Sequence, residues 1–179
     1  YGEGGSLKLR LKLASDANDS SGNGNTVTVT GSTDSNFGPV TIGGRTGWRL
    51  GHSADKYLTL SDINFYSLLG SSVRQPFTIA FWVRAISGSG FRNGSSGSAF
   101  VLGTYSTELF IDLYYEEDSY VLYGSTIGNG PLSSSPAIQN IFTYSTNWNH
   151  IALTYNGGGN AVSNAHKIYI NGELDEVNN

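Results

Sequence analysis

Residues 16–24 read DANDSSGNG, which places Asp16, Asn18, Asp19 and Asn23 in one Gly- and Ser-rich stretch. Carboxylate and amide oxygens crowded on a loop are the donor set of a hard cation, and calcium takes six to eight such oxygens. The same residue types also build turns by bonding to their own backbone. The twelve-residue spacing of an EF-hand is absent, so calcium on Asp16, Asn18, Asp19 and Asn23 stands beside plain turn-making.

A second group of chemically able residues lies around 108–118. Strand alternation places Glu108, Asp112 and Tyr114 on one face, opposite Leu109, Ile111 and Leu113. Tyrosine rings stack on sugars and carboxylates accept sugar hydroxyls, so this face reads as a glycan-binding patch or as packed tyrosines beside an acidic hairpin. Trp82 lies opposite the apolar face of its own segment. It serves either as packing for the second sheet surface or, with Arg84, as the wall of a binding concavity.

Catalytic constellations are weaker. Retaining glycosidases hold two carboxyls about 5–5.5 Å apart across the scissile bond. Glu116 and Asp118 have the alternate spacing but fall in a hairpin turn, and Glu108 and Asp112 are too widely spaced along one strand. His52, His150 and His166 form no zinc-ligand spacing, and His150 reads as a packed strand residue. No G-x-S-x-G elbow occurs, and the G-x-G pieces at 22–24 and 88–90 open no helix. The chain does not read as an enzyme.

The elements that would position these residues have a period of two. Leu7, Leu9, Leu11 and Leu13 alternate with Lys8, Arg10 and Lys12, which predicts a half-buried strand with a basic outer face. Strands are further predicted at 26–30, 57–60, 77–84, 99–102, 108–115, 119–123, 148–155 and 166–171, with a helical turn over 63–69. Asn171-Gly172 is a two-residue hairpin signal, and its returning strand is 173–177. An edge left open there calls for completion by further chain or by a neighbouring chain. Strands of this length between turn residues indicate an antiparallel sandwich.

Composition narrows the function classes. The chain has 179 residues, no Cys and no Met, and begins at Tyr1, which reads as a processed chain or a segment of a longer protein. Absence of Cys removes disulfides and thiolate chemistry. No apolar run approaches the ~20 residues of a membrane span. Net charge is −4, divided unevenly: residues 1–92 carry nine Lys/Arg against six Asp/Glu, whereas residues 93–179 carry Lys167 against eight acids. No basic stripe is present to neutralise phosphates, so nucleic acid is not expected as a partner.

The order of FTIAFWVR (77–84), WNHIALTYNG (148–157) and KIYINGE (167–173) resembles the laminin G-like, concanavalin A-like jelly-roll superfamily, and DANDSSGNG is similar to the opening loop of those domains. The resemblance implies an all-β antiparallel sandwich over residues 1–179 as a single domain, incomplete at its C-terminal strands and part of a longer protein. It also implies a rim calcium ion. Two functions follow as expectations. The first is a non-catalytic recognition or adhesion module on an extracellular or particle surface, binding glycan or another surface ligand through Glu108, Asp112, Tyr114, Trp82 and Arg84. The second is a structural decoration or fibre domain of a virion or surface layer.

Overall fold

Alternating apolar residues and frequent turn formers leave this chain little choice but sheet, and a computed structural model shows twelve strands among its described residues. It describes residues 7–50, 55–60, 76–84, 97–103, 109–116, 119–126, 132–133, 147–156 and 166–177, the strands at 97–133 and residues 166, 176 and 177 as backbone alone. Every pairing among the described strands is antiparallel. The expected helical turn at 63–69 lies outside the described residues. By its internal contacts the chain divides into two units, Tyr1–Leu68 and Leu69–Asn179.

The first unit holds two strand pairs. Strand β1 (Val27–Thr30) pairs with β4 (Tyr57–Leu60), and β2 (Phe37–Ile42) with β3 (Arg45–Leu50). The β2–β3 hairpin turns on Gly43 and Gly44, both at positive φ (61° and 74°), as a two-residue turn matched to strand twist requires. Phe37 is fully buried at its start and meets the edge of Trp48 at 5.9 Å between ring centroids. Asp34 fixes the entry to this hairpin: its Oδ1 accepts the N–H groups of Asn36 (2.7 Å) and Phe37 (3.0 Å), and Lys56 donates to its Oδ2. The Lys56 ammonium and the Asn36 N–H hold the Asp34 carboxyl below its usual range against the opposing effect of desolvation.

The expected strand over 7–13 does not form. Leu11 makes an isolated bridge to Asp19, Leu13 takes a φ of 51°, and Leu7 is exposed. The carbonyls and amide that a neighbouring strand would have paired are captured by the side chains of residues 19–25 instead. A regular strand has nothing to gain where its ladder is already satisfied.

The second unit contains two four-stranded sheets. One has the order β12–β11–β10–β5, with β5 at Phe77–Val83, β10 at Asn149–Tyr155, β11 at His166–Ile170 and β12 at Glu173–Val177. The other has the order β6–β7–β8–β9, with β6 at Gly97–Gly103, β7 at Leu109–Glu116, β8 at Ser119–Thr126 and β9 at Leu132–Ser133. In the first sheet one face is buried: Ile151, Leu153 and Tyr155 of β10 and Ile168 and Ile170 of β11 form the core, and Phe77 of β5 packs on Tyr155 at 5.4 Å. Alternation then turns Thr78, Ala80 and Trp82 of β5 outward, and all three are exposed.

The Asn171-Gly172 turn forms as the sequence predicts, with φ of 52° and 91°, and joins β11 to β12. Asn171 also extends the β10–β11 ladder past its last pair. Its N–H donates to the His150 carbonyl (2.8 Å), its Oδ1 accepts the His150 N–H (2.9 Å), and its Nδ2 donates to Oδ1 of buried Asn149 (3.0 Å).

Candidate functional site

The outward face of the β5–β10–β11 sheet carries the site. Pairing of β5 with β10 sets Trp82 opposite His150, and the Asn171 turn continues that row. The Trp82 and His150 rings lie 5.1 Å apart at 55°, yet Trp82 stays 50% exposed. Trp82, His150, Asn171 and Gly172 line an open concavity of about 380 Å³. An indole face beside an imidazole and an amide is an amphipathic arrangement: the ring covers apolar C–H surface while the polar tips bind hydroxyls. Asn171 spends one amide hydrogen on Asn149 and one lone pair on His150, which leaves one donor and one acceptor for a ligand.

The next row along the same face is Ala80, Ala152 and Tyr169, followed by Leu174 of β12. Two alanines make a low floor between Trp82 and Tyr169. The row beyond is Thr78, Thr154 and Lys167. Strand spacing and rise place the Cα of Tyr169 about 12 Å from that of Trp82 and the Cα of Lys167 about 16 Å away. Among the described lining residues none is a carboxylate.

The residues singled out from sequence fall on two different sheets. Asp112 and Tyr114 lie on β7, in the other sheet, where they pair with Tyr123 and Val121 of β8. Trp82 lies on β5, and Arg84 follows it just past the strand, with its Nε buried and unpartnered. Glu108 lies outside the described residues. His150, Asn171 and Tyr169, which complete the Trp82 surface, were not among the candidates. The segment WNHIALTY already places His150 outward by alternation, but only the register between β5, β10 and β11 shows that it meets Trp82.

The loop offered for calcium is built as a hydrogen-bonded staple. Asp19 Oδ1 accepts the N–H groups of Arg10 (3.1 Å) and Ser21 (2.8 Å). Its Oδ2 accepts the Ser21 hydroxyl (2.7 Å), the Asn25 N–H (3.2 Å) and the Asn25 Nδ2 (2.7 Å). Desolvation pulls this carboxyl upward, but the donors from Ser21, Arg10 and Asn25 outweigh it and hold the group well below the usual carboxylate range. Asn23 donates through Nδ2 to the carbonyls of Leu7 (2.7 Å) and Lys8 (3.0 Å), and Asp16 accepts the Asn18 N–H (2.9 Å) in a turn of its own.

Ser21 links Asp19 to Asn23, whereas Asp16 pairs with Asn18. A carboxylate has about four lone-pair sites, and five donors already converge on Asp19. Among the described residues no three His, Cys, Asp or Glu side chains gather as a metal site. As arranged, the loop does not fit a calcium ion.

Comparison with known proteins gives one result. No curated protein and no solved structure matches the chain. A family model of the laminin G type, described as the concanavalin A-like lectin/glucanases superfamily, matches residues 52–179. That match covers well over half of the chain and joins the antiparallel sheets to a known class of β-sandwich. This chain belongs to the concanavalin A-like lectin/glucanases superfamily.

Proposed function

We propose that the chain is a non-catalytic recognition module that binds glycan on the outward face of the β5–β10–β11 sheet, within a larger extracellular or particle-surface protein. One observation carries the reading: Trp82 is half exposed and lines a concavity with His150, Asn171 and Gly172 among its described walls. A large aromatic left half in water forfeits burial that a core position would have supplied. Covering the exposed half of an indole, on the order of 100 Å², contributes about 2.5 kcal/mol. A sugar ring offers a matching apolar C–H face and hydroxyls for the Asn171 amide. Catalysis is not part of the reading: the described lining residues are an indole, an imidazole, an amide and a glycine, a set suited to holding a ligand. Calcium is not part of it either, because the Asp19 staple takes up its own oxygens.

The test is a glycan array on the wild-type chain and on Trp82→Ala, each with calcium and with chelator. The reading expects one glycan class bound by the wild type, lost by more than about tenfold in Trp82→Ala, and unchanged by chelator. Binding that chelator abolishes would return the site to Asp16 and Asp19.

A structural role in a virion or surface layer is the second reading, and β12 favours it. Leu174 stands 53% exposed on β12, at the end of the described strand order. A neighbouring chain pairing with β12 would cover it. In that case the folded chain would bind no glycan and would instead associate with copies of itself or with further strands of its own protein.

A further inference from the structure

We infer that the glycan is an acidic polysaccharide chain, bearing carboxylate or sulfate groups, that crosses the sheet from Trp82 to Lys167; this rests on the recognition reading above. Residues 93–179 carry eight carboxylates and a single basic residue, Lys167. The fold sets that residue on the same face as Trp82, because Ile168 and Ile170 on either side of Tyr169 are buried and Lys167 alternates with them. Among the described residues Lys167 makes no ion pair or side-chain hydrogen bond.

Among the described residues, β5, β10 and β11 present no acid on this face. The outward positions of β5, β10 and β11 hold Thr, Ala, Trp, His, Tyr and Lys, with no Asp or Glu. On the neighbouring strand β12, Glu173 and Glu176 register against the inward positions Ile170 and Ile168, and Asp175 falls at the bulge. In a segment this acidic, three strands whose described outward positions hold no carboxylate and its single ammonium group are complementary to an anion. A separation of about 16 Å between Trp82 and Lys167 exceeds a single sugar ring, so one ligand reaches both only as a chain. Ala80 and Ala152 leave the intervening floor low enough for it to lie flat, with Tyr169 beside its path.

The experiment measures binding of the chain to two matched pairs by calorimetry: polygalacturonate with its full methyl ester, and dextran sulfate with dextran. Each pair is compared at low and high salt. The variants are Lys167→Gln, Lys167→Arg, Trp82→Ala and, as a charge control in the other unit, Lys8→Gln. The expected result is binding to the anionic member of at least one pair and not to its neutral partner. That binding should be lost in Trp82→Ala, weakened about two- to fivefold in Lys167→Gln, restored in Lys167→Arg, and unchanged in Lys8→Gln. The pair that responds distinguishes carboxylate from sulfate.

Equal binding of neutral and anionic glycans, with Lys167→Gln unaltered but Trp82→Ala defective, overturns the acidic-ligand inference and leaves the recognition face standing. Anionic binding that survives Trp82→Ala or falls in Lys8→Gln overturns it as well, since the charge then acts elsewhere. No binding to these or any arrayed glycan by the folded wild type overturns both.

Discussion

Substitution of Asn171 separates what its side chain does from what its backbone does. Its main-chain bond to the His150 carbonyl survives any replacement other than Pro, and glycine adopts the required φ of 52° without strain. Asn171→Gly therefore removes two side-chain bonds alone: that from the His150 N–H at 2.9 Å and that to Asn149 Oδ1 at 3.0 Å. The His150 N–H faces solvent and rehydrates, so its bond is worth about 0.5–1 kcal/mol. Asn149 is 6% exposed, and its orphaned acceptor costs about 1–2 kcal/mol. The sum is about 1.5–3 kcal/mol for Asn171→Gly. In Asn171→Ala the same bonds are lost and a left-handed alanine adds about 1 kcal/mol more. Urea unfolding, with the midpoint compared at constant m-value, measures both. A loss below about 1 kcal/mol for the glycine variant, or an alanine variant no worse than glycine, would refute the account of this turn as a three-point clamp on β10.

Three further outcomes follow from the geometry. Gly31→Ala should destabilise by about 2 kcal/mol, because its Cβ would lie 2.8 Å from the Asp55 carbonyl oxygen at a φ of 86°, whereas Gly22→Ala meets nothing within 4 Å and should cost about 1 kcal/mol; thermal melts of the pair give the contrast. Ile168→Ala, at a site 1% exposed, should cost about 2–5 kcal/mol by denaturant titration. The Asp19 carboxyl is held below its ordinary value of 3.8, so its stabilising effect is complete above that value and is lost as pH falls through the lower folded value. Wild type and Asp19→Asn should therefore differ most above about pH 5 and converge in acid, and amide exchange at Arg10 should rise in the variant; a gap that widens on acidification would contradict the staple.

The sheet architecture was legible wherever burial imposed a strict alternation. NHIALTY and HKIYI bury alternate residues, FTIAFWV alternates half-buried with exposed ones, and the three strands fall within one residue of the expected limits. The Asn171-Gly172 hairpin was legible for a local reason, since both turn positions need positive φ. Two kinds of information were not legible. The β2–β3 hairpin contains Pro39, Gly38, Gly43, Gly44 and Gly47, a composition that reads as loop, and only the anchoring of Phe37 and the glycine turn make it a strand pair. Conversely, the LKLRLKL pattern at 7–13 alternates without forming a strand, because Asp19, Asn23 and Asn25 satisfy its backbone from the side.

The candidate site followed the same division. Trp82 stood out by facing away from its apolar neighbours, which is a local property. Its companions His150, Asn171, Tyr169 and Lys167 come from strands far along the chain, and their convergence depends on register. Asp112 and Tyr114 share a face with one another on β7 but belong to a different sheet from Trp82, a separation that alternation within one strand does not reveal.

The central claim is that the exposed ring of Trp82 is a glycan platform, and binding by Trp82→Ala across a glycan array tests it most directly. The account predicts that the wild type binds a defined glycan class and that the variant, with an unaltered melting temperature, loses that binding by more than about tenfold. Equal binding by both proteins, or none by the folded wild type, would contradict it.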